Sequence, residues 1–439
     1  GGLSVPPGRI SDVLRQVRQT QRIRPSSNAE RYLLREYGKC RWLWNQLVAE
    51  SKQRYAADPT STFGYGEQDK YLTRLRNSTS GAAIDSETGT NWLAQGSSVA
   101  QQQLVRDFAK SRKKALLDRK NKIPVTQRHG LPRFKKRDRS LPTLNYTRRG
   151  FSIKAHPVTG EPALALPSGV LIAVVWTQEL PSEPKSVRIS CDSLGHWYAS
   201  FVVQIDLDHT RLPEIRDSRV LGVDWGVTET ATTAALNTAT GEVDESAAFD
   251  LQHSEHGKRS AARLARYQKM MARRKPAKGQ PGSNGYKTAK RHAAAVHAKV
   301  SRQRQDAARK WAKQIVEHHD RIAVEDFRPK FLAKSTMARK AADAAISATK
   351  AELIWMAAKH GRQLALVHPA NTTTDCSACG TRTKHPLPLG QRTYHCESCG
   401  LSKPRDKNSA AVIAARAGFH PADAEGVRPT CTAACTLAA

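Results

Sequence analysis

The sequence predicts a multidomain chain of mixed α/β class, and three observations carry that expectation. The apolar period changes from helical to alternating near Ser140. Near-continuous apolar strands return between helical stretches after Val220. The 439 residues are enough for about three domains, each with its own core.

Residues 1–19 are polar and unpatterned, and Thr20–Pro25 reads as a strand. Ser26 or Ser27 offers a cap for a helix through Ala29–Tyr37, and a second helix is expected over Cys40, Leu43, Trp44 and Leu47. Ala57–Gly66 and Asn77–Thr90 are rich in Ser, Thr and Gly and read as loops. Ser97–Leu117 is a helix that turns basic at Arg112, followed by a basic stretch, Arg119–Arg139, broken by Pro124 and Pro132. From Ser140 to Leu207, Phe151–Ala155, Val170–Val175, Ser186–Ile189 and Trp197–Ile205 alternate between turn residues, as in a small antiparallel barrel. Val220–Asp224 is an apolar strand, and Thr240-Gly241 marks a hairpin turn. Gly257–Lys313 contains one acid, Asp306, and breaks at Pro276–Gly285 into two basic helices. Val296, Val300, Ala307, Trp311 and Ile315 form the apolar stripe of the second. Arg321–Phe327 and Gln363–Val367 are strands flanking a helix at Ala338–His360. Asp406–Ala417 is a last helix closed by Gly418, and a tail without periodicity follows His420.

Charge narrows the function. Lys plus Arg number 71 against 39 Asp plus Glu, a net +32 that favours a polyanionic partner. Aromatic residues are 6% of the chain, too few for a protein that works mainly by stacking single-stranded bases. The longest apolar run, near Gly169–Trp176, is far shorter than the ~18 residues that span a bilayer, so no membrane role is expected. With no basic-then-apolar opening segment and no dispersed cysteine framework, the chain reads as intracellular, with reduced thiols.

Two constellations carry chemistry. Cys376-x-x-Cys379 and Cys396-x-x-Cys399 have the spacing of a tetrahedral zinc site, and Gly380 and Gly400 supply the turns around the sulfurs. A closed four-cysteine shell leaves no open position, so one structural Zn²⁺ is expected. His395 then lies outside the shell. Cys40 and Cys191 read as core thiols. Cys431 and Cys435, without a second pair, are not expected to bind metal. The second constellation is acidic: Asp224 and Glu325 each end an apolar strand, and Asp406 opens a helix. Singly, each can be a solvated loop residue or a helix cap. Together they can hold two Mg²⁺ ions ~4 Å apart for phosphodiester hydrolysis. Asp326 falls on the other face of its strand by alternation, and His318 and His319 are expected on the surface.

Around these acids the chain resembles the transposon-encoded TnpB proteins and the related miniature type V CRISPR effectors. Three RuvC-like motifs centre on Asp224, Glu325 and Asp406, with the double C-x-x-C just before the third. Weaker matches are Gly38-Lys39-Cys40-Arg41-Trp42-Leu43-Trp44-Asn45, Leu131-Pro132-Arg133-Phe134-Lys135-Lys136, Gly282-Ser283-Asn284 and Asn371-Thr372-Thr373-Thr374. The chain departs from the family pattern at Pro404, where a second Asp is common, at Ser409, and at Trp225, where a smaller aliphatic is usual.

The resemblance implies an RNase H-like RuvC domain with an inserted helical pair and zinc ribbon, and an N-terminal wedge β-barrel with an inserted helical recognition lobe. The implied boundaries are 1–27 for the N-terminal segment and first wedge strand, 28–136 for the lobe and 137–212 for the wedge. Residues 213–369 are the RuvC-like nuclease with its basic insertion at 257–319, 370–402 the ribbon, 403–420 the last motif and helix, and 421–439 a flexible tail. It implies an RNA-guided DNA endonuclease with guide RNA and double-stranded DNA as partners, and leaves monomer and homodimer open. Arg41, Lys135, Lys136, Arg137, Arg273, Arg274, Lys290 and Arg291 are its expected phosphate contacts. The alternatives are an RNA-guided binder that silences without cutting and, more distantly, a strand-transfer transposase on the same core.

Overall fold

The computed structural model describes residues 14–419 except 59, 126, 138–139, 207–209, 216–217, 227, 278, 328–341, 343, 386 and 389; the tail with Cys431 and Cys435 lies outside the described residues. The chain divides into two units, Gly1–Ile205 and Asp206–Ala439.

In the first unit, β1 (Leu14–Arg24) is separated from the remaining strands by three helices, α1 (Ser27–Ala57), α2 (Tyr65–Asn77) and α3 (Ser98–Lys120). The strands are β2 (Thr143–Thr147), β3 (Ser152–Ala155), β4 (Pro162–Leu166), β5 (Val170–Val175), β6 (Ser186–Cys191) and β7 (Trp197–Asp206). They form a seven-stranded half-barrel sheet in the order β2-β6-β7-β1-β5-β4-β3, whose end strands do not pair with each other among the described residues. The expected barrel is seen, among the described residues, as this half-barrel.

The two helices expected on either side of Gly38 are one. Ser26 caps it, its Oγ accepting from Ala29 N at 3.3 Å. Buried Tyr32, Leu33, Tyr37, Cys40, Leu43, Trp44 and Leu47 continue a single stripe at i,i+3/i+4 spacing. The ~1 kcal/mol that Gly38 costs in a helix is small beside that burial. Two of the weaker motifs meet here. The Asn45 side chain accepts from Lys135 N (2.8 Å) and donates to Lys135 O (3.1 Å), while Trp44 Nε1 donates to Arg133 O at 2.8 Å.

The second unit is a three-layer sandwich. Its sheet contains β8 (Arg219–Trp225), β9 (Glu229–Asn237), β10 (Val243–Asp244), β11 (Leu251–Gln252), β12 (Arg321–Glu325) and β13 (Gln363–Val367). Their order is β10-β9-β8-β12-β13, with β11 also on β9. β8 and β9 are antiparallel, whereas β8–β12 and β12–β13 are parallel. The helices are α4 (His256–Arg273), α5 (Asn284–His318), α6 (Ile346–Lys359) and α7 (Arg405–Arg416).

Strand alternation sorts the faces. Leu221, Val223, Ile322 and Val324 pack with Trp311, Ile315 and Val316 of α5 and with Leu353 and Ala357 of α6. Val220, Ala323 and Val367 pack with Ile413 and Ala414 of α7. The α4–α5 pair leaves α4 without a buried residue, and Tyr267 stacks on His292 at 5.0 Å. Among the described residues no helix is long and apolar enough to cross a membrane.

Candidate active site and metal centre

Parallel pairing puts two of the three acids side by side. Val223 is opposite Val324, so the next residues along each strand are Asp224 and Glu325, both at carboxyl ends. Sheets of this kind present functional groups at that edge. By alternation both side chains belong to the face that α7 covers, and α7 brings Asp406 in its first turn. Asp406 is not the helix cap, since Pro404 holds that position. Its carboxylate lies 3.4 Å from Arg405 Nε and 4.0 Å from Arg392.

Asp224 feels both of the other acids. Burial, then the charges of Glu325 and Asp406, push the Asp224 carboxyl well above the usual carboxylate range. Glu325 is pushed up to about 7, chiefly by burial, against the opposing pull of the Thr372 hydroxyl and Lys350. Asp224 and Glu325 are neighbouring, desolvated carboxylates, the environment that a hard divalent cation relieves, while Asp406 is more open to solvent.

The supporting shell was not anticipated from sequence. Trp225 Nε1 donates to Glu325 O at 3.1 Å, bridging the ends of β8 and β12, and its ring meets Trp311 edge-on at 5.9 Å. Thr372 Oγ1 donates to Glu325 Oε1 at 3.3 Å. Lys407, beside Asp406, is fastened the other way: its Nζ lies 2.8 Å from the carboxylate of buried Asp250, which also accepts from Thr233 N at 2.7 Å. Asp326 pairs with Lys350, as expected for the opposite face. The signal that could have found Lys407 is adjacency to Asp406, and for Thr372 its place in the Asn371–Thr374 run before the first knuckle; Asp250 carries no local signal.

The elevated carboxyls make a stability prediction. Between roughly pH 4.5, where an unfolded glutamate titrates, and about 7, the folded Glu325 holds a proton that the unfolded chain has released. Folded protein binding more protons means that stability falls as pH rises through that window. Metal-free melting temperatures should therefore drop more from pH 5 to pH 8 in the wild type than in Glu325→Gln. Equal drops, measured by scanning calorimetry, would remove Glu325 as the cause.

The four cysteines converge. Their sulfurs lie within 4.8 Å of one another, with Cys376–Cys399 at 3.7 Å and Cys379–Cys396 at 3.6 Å. A tetrahedral ion with Zn–S of ~2.3 Å implies sulfur separations of about 3.8 Å, so the cluster fits one zinc ion. The two knuckles repeat: Gly380 N donates to Cys376 O (3.0 Å), Gly400 N to Cys396 O (2.9 Å), and both glycines have φ near +73°. Fully buried Tyr394 packs against Cys376 and Cys396. Among the described residues this is the one group of three or more such side chains that draws its ligand atoms so close; the three acids are not gathered within the same 4.8 Å.

The basic residues divide. Lys136, Arg137, Arg273, Arg274, Lys290 and Arg291 are exposed. Lys135 is committed internally, its Nζ 3.9 Å over the Trp44 ring, and half-buried Arg41 reaches Lys135 O at 3.5 Å. His319, expected at the surface, is buried, its ring 4.8 Å from Phe249 where α5 ends. Burial pushes the Cys40 thiol up to about 12, consistent with a core thiol.

Three family models match: "Probable transposase" of the OrfB_IS605 type at residues 200–336, the Cas12f1-like TNB domain at 348–413, and the OrfB_IS605 "Helix-turn-helix domain" at 18–59. The last covers the end of β1 and the single helix α1. Among similar proteins, one of Streptomyces pristinaespiralis described as a "Putative RNA-guided DNA endonuclease" is 28% identical over 95% of this chain and 94% of its own length. InsQ of Escherichia coli, described in the same words, is 23% identical over 90% of each chain. The cryo-EM structure of a Cas12f1–sgRNA–target DNA complex shares the fold at a TM-score of 0.55 and 13% identity, covering 91% of this chain and 99% of that one. The three models match this chain in the order helical N-terminal segment, RNase H-like sheet, cysteine ribbon, so the chain is similar to the TnpB-type miniature type V effectors in sequence order and in fold.

Proposed function

We propose that the protein is an RNA-guided DNA endonuclease that reads a short flanking DNA motif, pairs guide RNA with one target strand and hydrolyses phosphodiester bonds. The observation that carries this reading is the placement of Asp224 beside Glu325 at the carboxyl ends of parallel β8 and β12, with Asp406 near enough for its charge to act on Asp224. The names of the relatives point the same way. The net charge of +32 suits an RNA–DNA heteroduplex held through its backbone.

The three acids would hold two divalent cations, best matched by Mg²⁺. Bound there, the ions would activate the attacking water and stabilise the leaving oxygen. Trp225 and Thr372 fix the backbone and carboxylate of Glu325, and Lys407 steadies the first turn of α7. The cysteines would hold one structural Zn²⁺. The lobe at 28–136 and wedge at 137–212 would read the flanking motif and grip the guide, the exposed basic residues of α4 and α5 would contact phosphates, and the tail would follow the last motif at 403–420. A silencing binder is the weaker alternative: all three acids are present, and Asp224 is buried at a cost that binding alone does not require.

The test is co-expression with the native flanking locus, sequencing of co-purified RNA, and incubation of the complex with a matching plasmid library in Mg²⁺. Guide-dependent cleavage beside one short motif is the expected result. Guided binding without cleavage would promote the silencing reading, and absence of a discrete RNA would overturn guiding itself.

A further inference from the structure

The cysteine ribbon and the acid site are joined by named atoms. Asn408 lies two residues after Asp406 on α7 and is fully buried. Its Nδ2 donates to Asp375 O at 2.8 Å, and its Oδ1 accepts from Ser377 N at 3.0 Å. Those two backbone groups flank Cys376, so one side-chain amide spans a cysteine of the cluster as a strand neighbour would. The far end of α7 is tied to the same segment. Arg416 donates to Ala370 O at 2.6 Å and pairs with the Asp375 carboxylate. Between these ties, Thr372 reaches Glu325. The base of the ribbon, residues 370–377, therefore touches one acid directly and the helix of another at both ends.

We propose that Asn408 is a positioning residue through which the cysteine centre, when it holds metal, sets the affinity of the acid site for divalent cation. The inference rests on the acid-site reading above. A metal held by Cys376 and its three partners fixes the backbone around Cys376. That fixes the Asp375 carbonyl and Ser377 N–H in the one spacing the Asn408 amide can bridge. The first turn of α7, and Asp406 with it, is then held in place before cation arrives. Lys407 anchors that turn from its other flank but has no link to the ribbon among its contacts. Ligand-supporting residues of this kind change metal affinity by roughly 10–100-fold.

The measurement is Mn²⁺ binding to the full chain by electron paramagnetic resonance, with Asp224→Ala as the blank. Zinc stripping of the wild type is expected to raise the half-saturating Mn²⁺ about tenfold, and Asn408→Ala by a similar factor. Both together should still give about tenfold, because one path is broken twice. A product near a hundredfold would mark two independent structural effects and overturn the proposal. So would a stripped wild type that binds Mn²⁺ as tightly as the loaded one, an arm that needs no variant to fold. By reciprocity, Mn²⁺ should slow zinc loss to a zinc-selective chelator in the wild type and not in Asn408→Ala; insensitivity in the wild type counts against the coupling. If zinc-loaded wild type binds no Mn²⁺ above the blank, the acid-site reading itself fails and takes the coupling with it. If Mn²⁺ binds but neither change weakens it, the coupling alone fails.

Discussion

Asp224→Asn is expected to abolish cleavage while raising the melting temperature of the metal-free protein. The two effects have one cause. Asp224 is buried beside Glu325 and Asp406, and its carboxyl is pushed well above the usual range by burial first and by those charges second. Above pH 5 the unfolded chain carries Asp224 ionised at no cost, whereas the folded chain must desolvate that charge or keep the proton. The amide has nearly the same shape and no charge, so it removes this penalty. What it also removes is an anionic metal ligand, and with it stabilisation worth several kcal/mol in the transition state, or about a thousandfold in rate or more. Single-turnover cleavage, guided binding by gel shift and a melting curve at pH 8 read the three consequences separately. Lost cleavage with unchanged binding and a raised melting temperature is the expected set. A lowered melting temperature would mean that the Asp224 carboxylate is satisfied by partners other than those seen here, and the metal-site reading would lose its main support.

How much of this was legible in sequence depends on range. Short-range signals were readable: Ser26 as a cap, Gln363–Val367 as a strand, the cysteine knuckles and the two basic helices. The expected break at Gly38 failed because a local propensity lost to a stripe of seven buried side chains that continues across it. The antiparallel strands of the barrel were readable, whereas their order in the half-barrel, with β1 between β7 and β5, is encoded by no local pattern. His319 was misplaced because a histidine at a helix end has no preferred side until its neighbour, here Phe249, is known. In the site, the acids were expected from type and position. The partners that hold them were not, since Trp225 meets Glu325 across 100 residues and Lys407 meets Asp250 across 157. Contacts of that span leave no periodicity to read.

Gly222→Ala carries the second large effect, through shape rather than charge. Gly222 lies two residues before Asp224 on β8, on the face crossed by α7. A Cβ added there would sit 1.9 Å from Ala410 O and 2.9 Å from Ala414 N. Both are backbone atoms of α7, so no side chain can rotate away and the helix itself must lift. Ala410, Ala411 and Ala414 are what let it lie so close, and each is buried. Overpacking of this kind costs roughly 1–3 kcal/mol, or more where backbone must move, which lowers the melting temperature of a unit this size by about 5–10 °C. The functional loss should exceed what that suggests. Lifting α7 by about an ångström moves Asp406 relative to Asp224 and Glu325, and misplacement on that scale costs on the order of a hundredfold in rate. At a temperature where the variant is fully folded, Gly222→Ala should need more Mg²⁺ for half-maximal cleavage and cut more slowly at saturation. A variant that melts earlier yet cleaves normally would show that α7 can shift without carrying Asp406 out of reach, and that the acid site is held from the ribbon side alone.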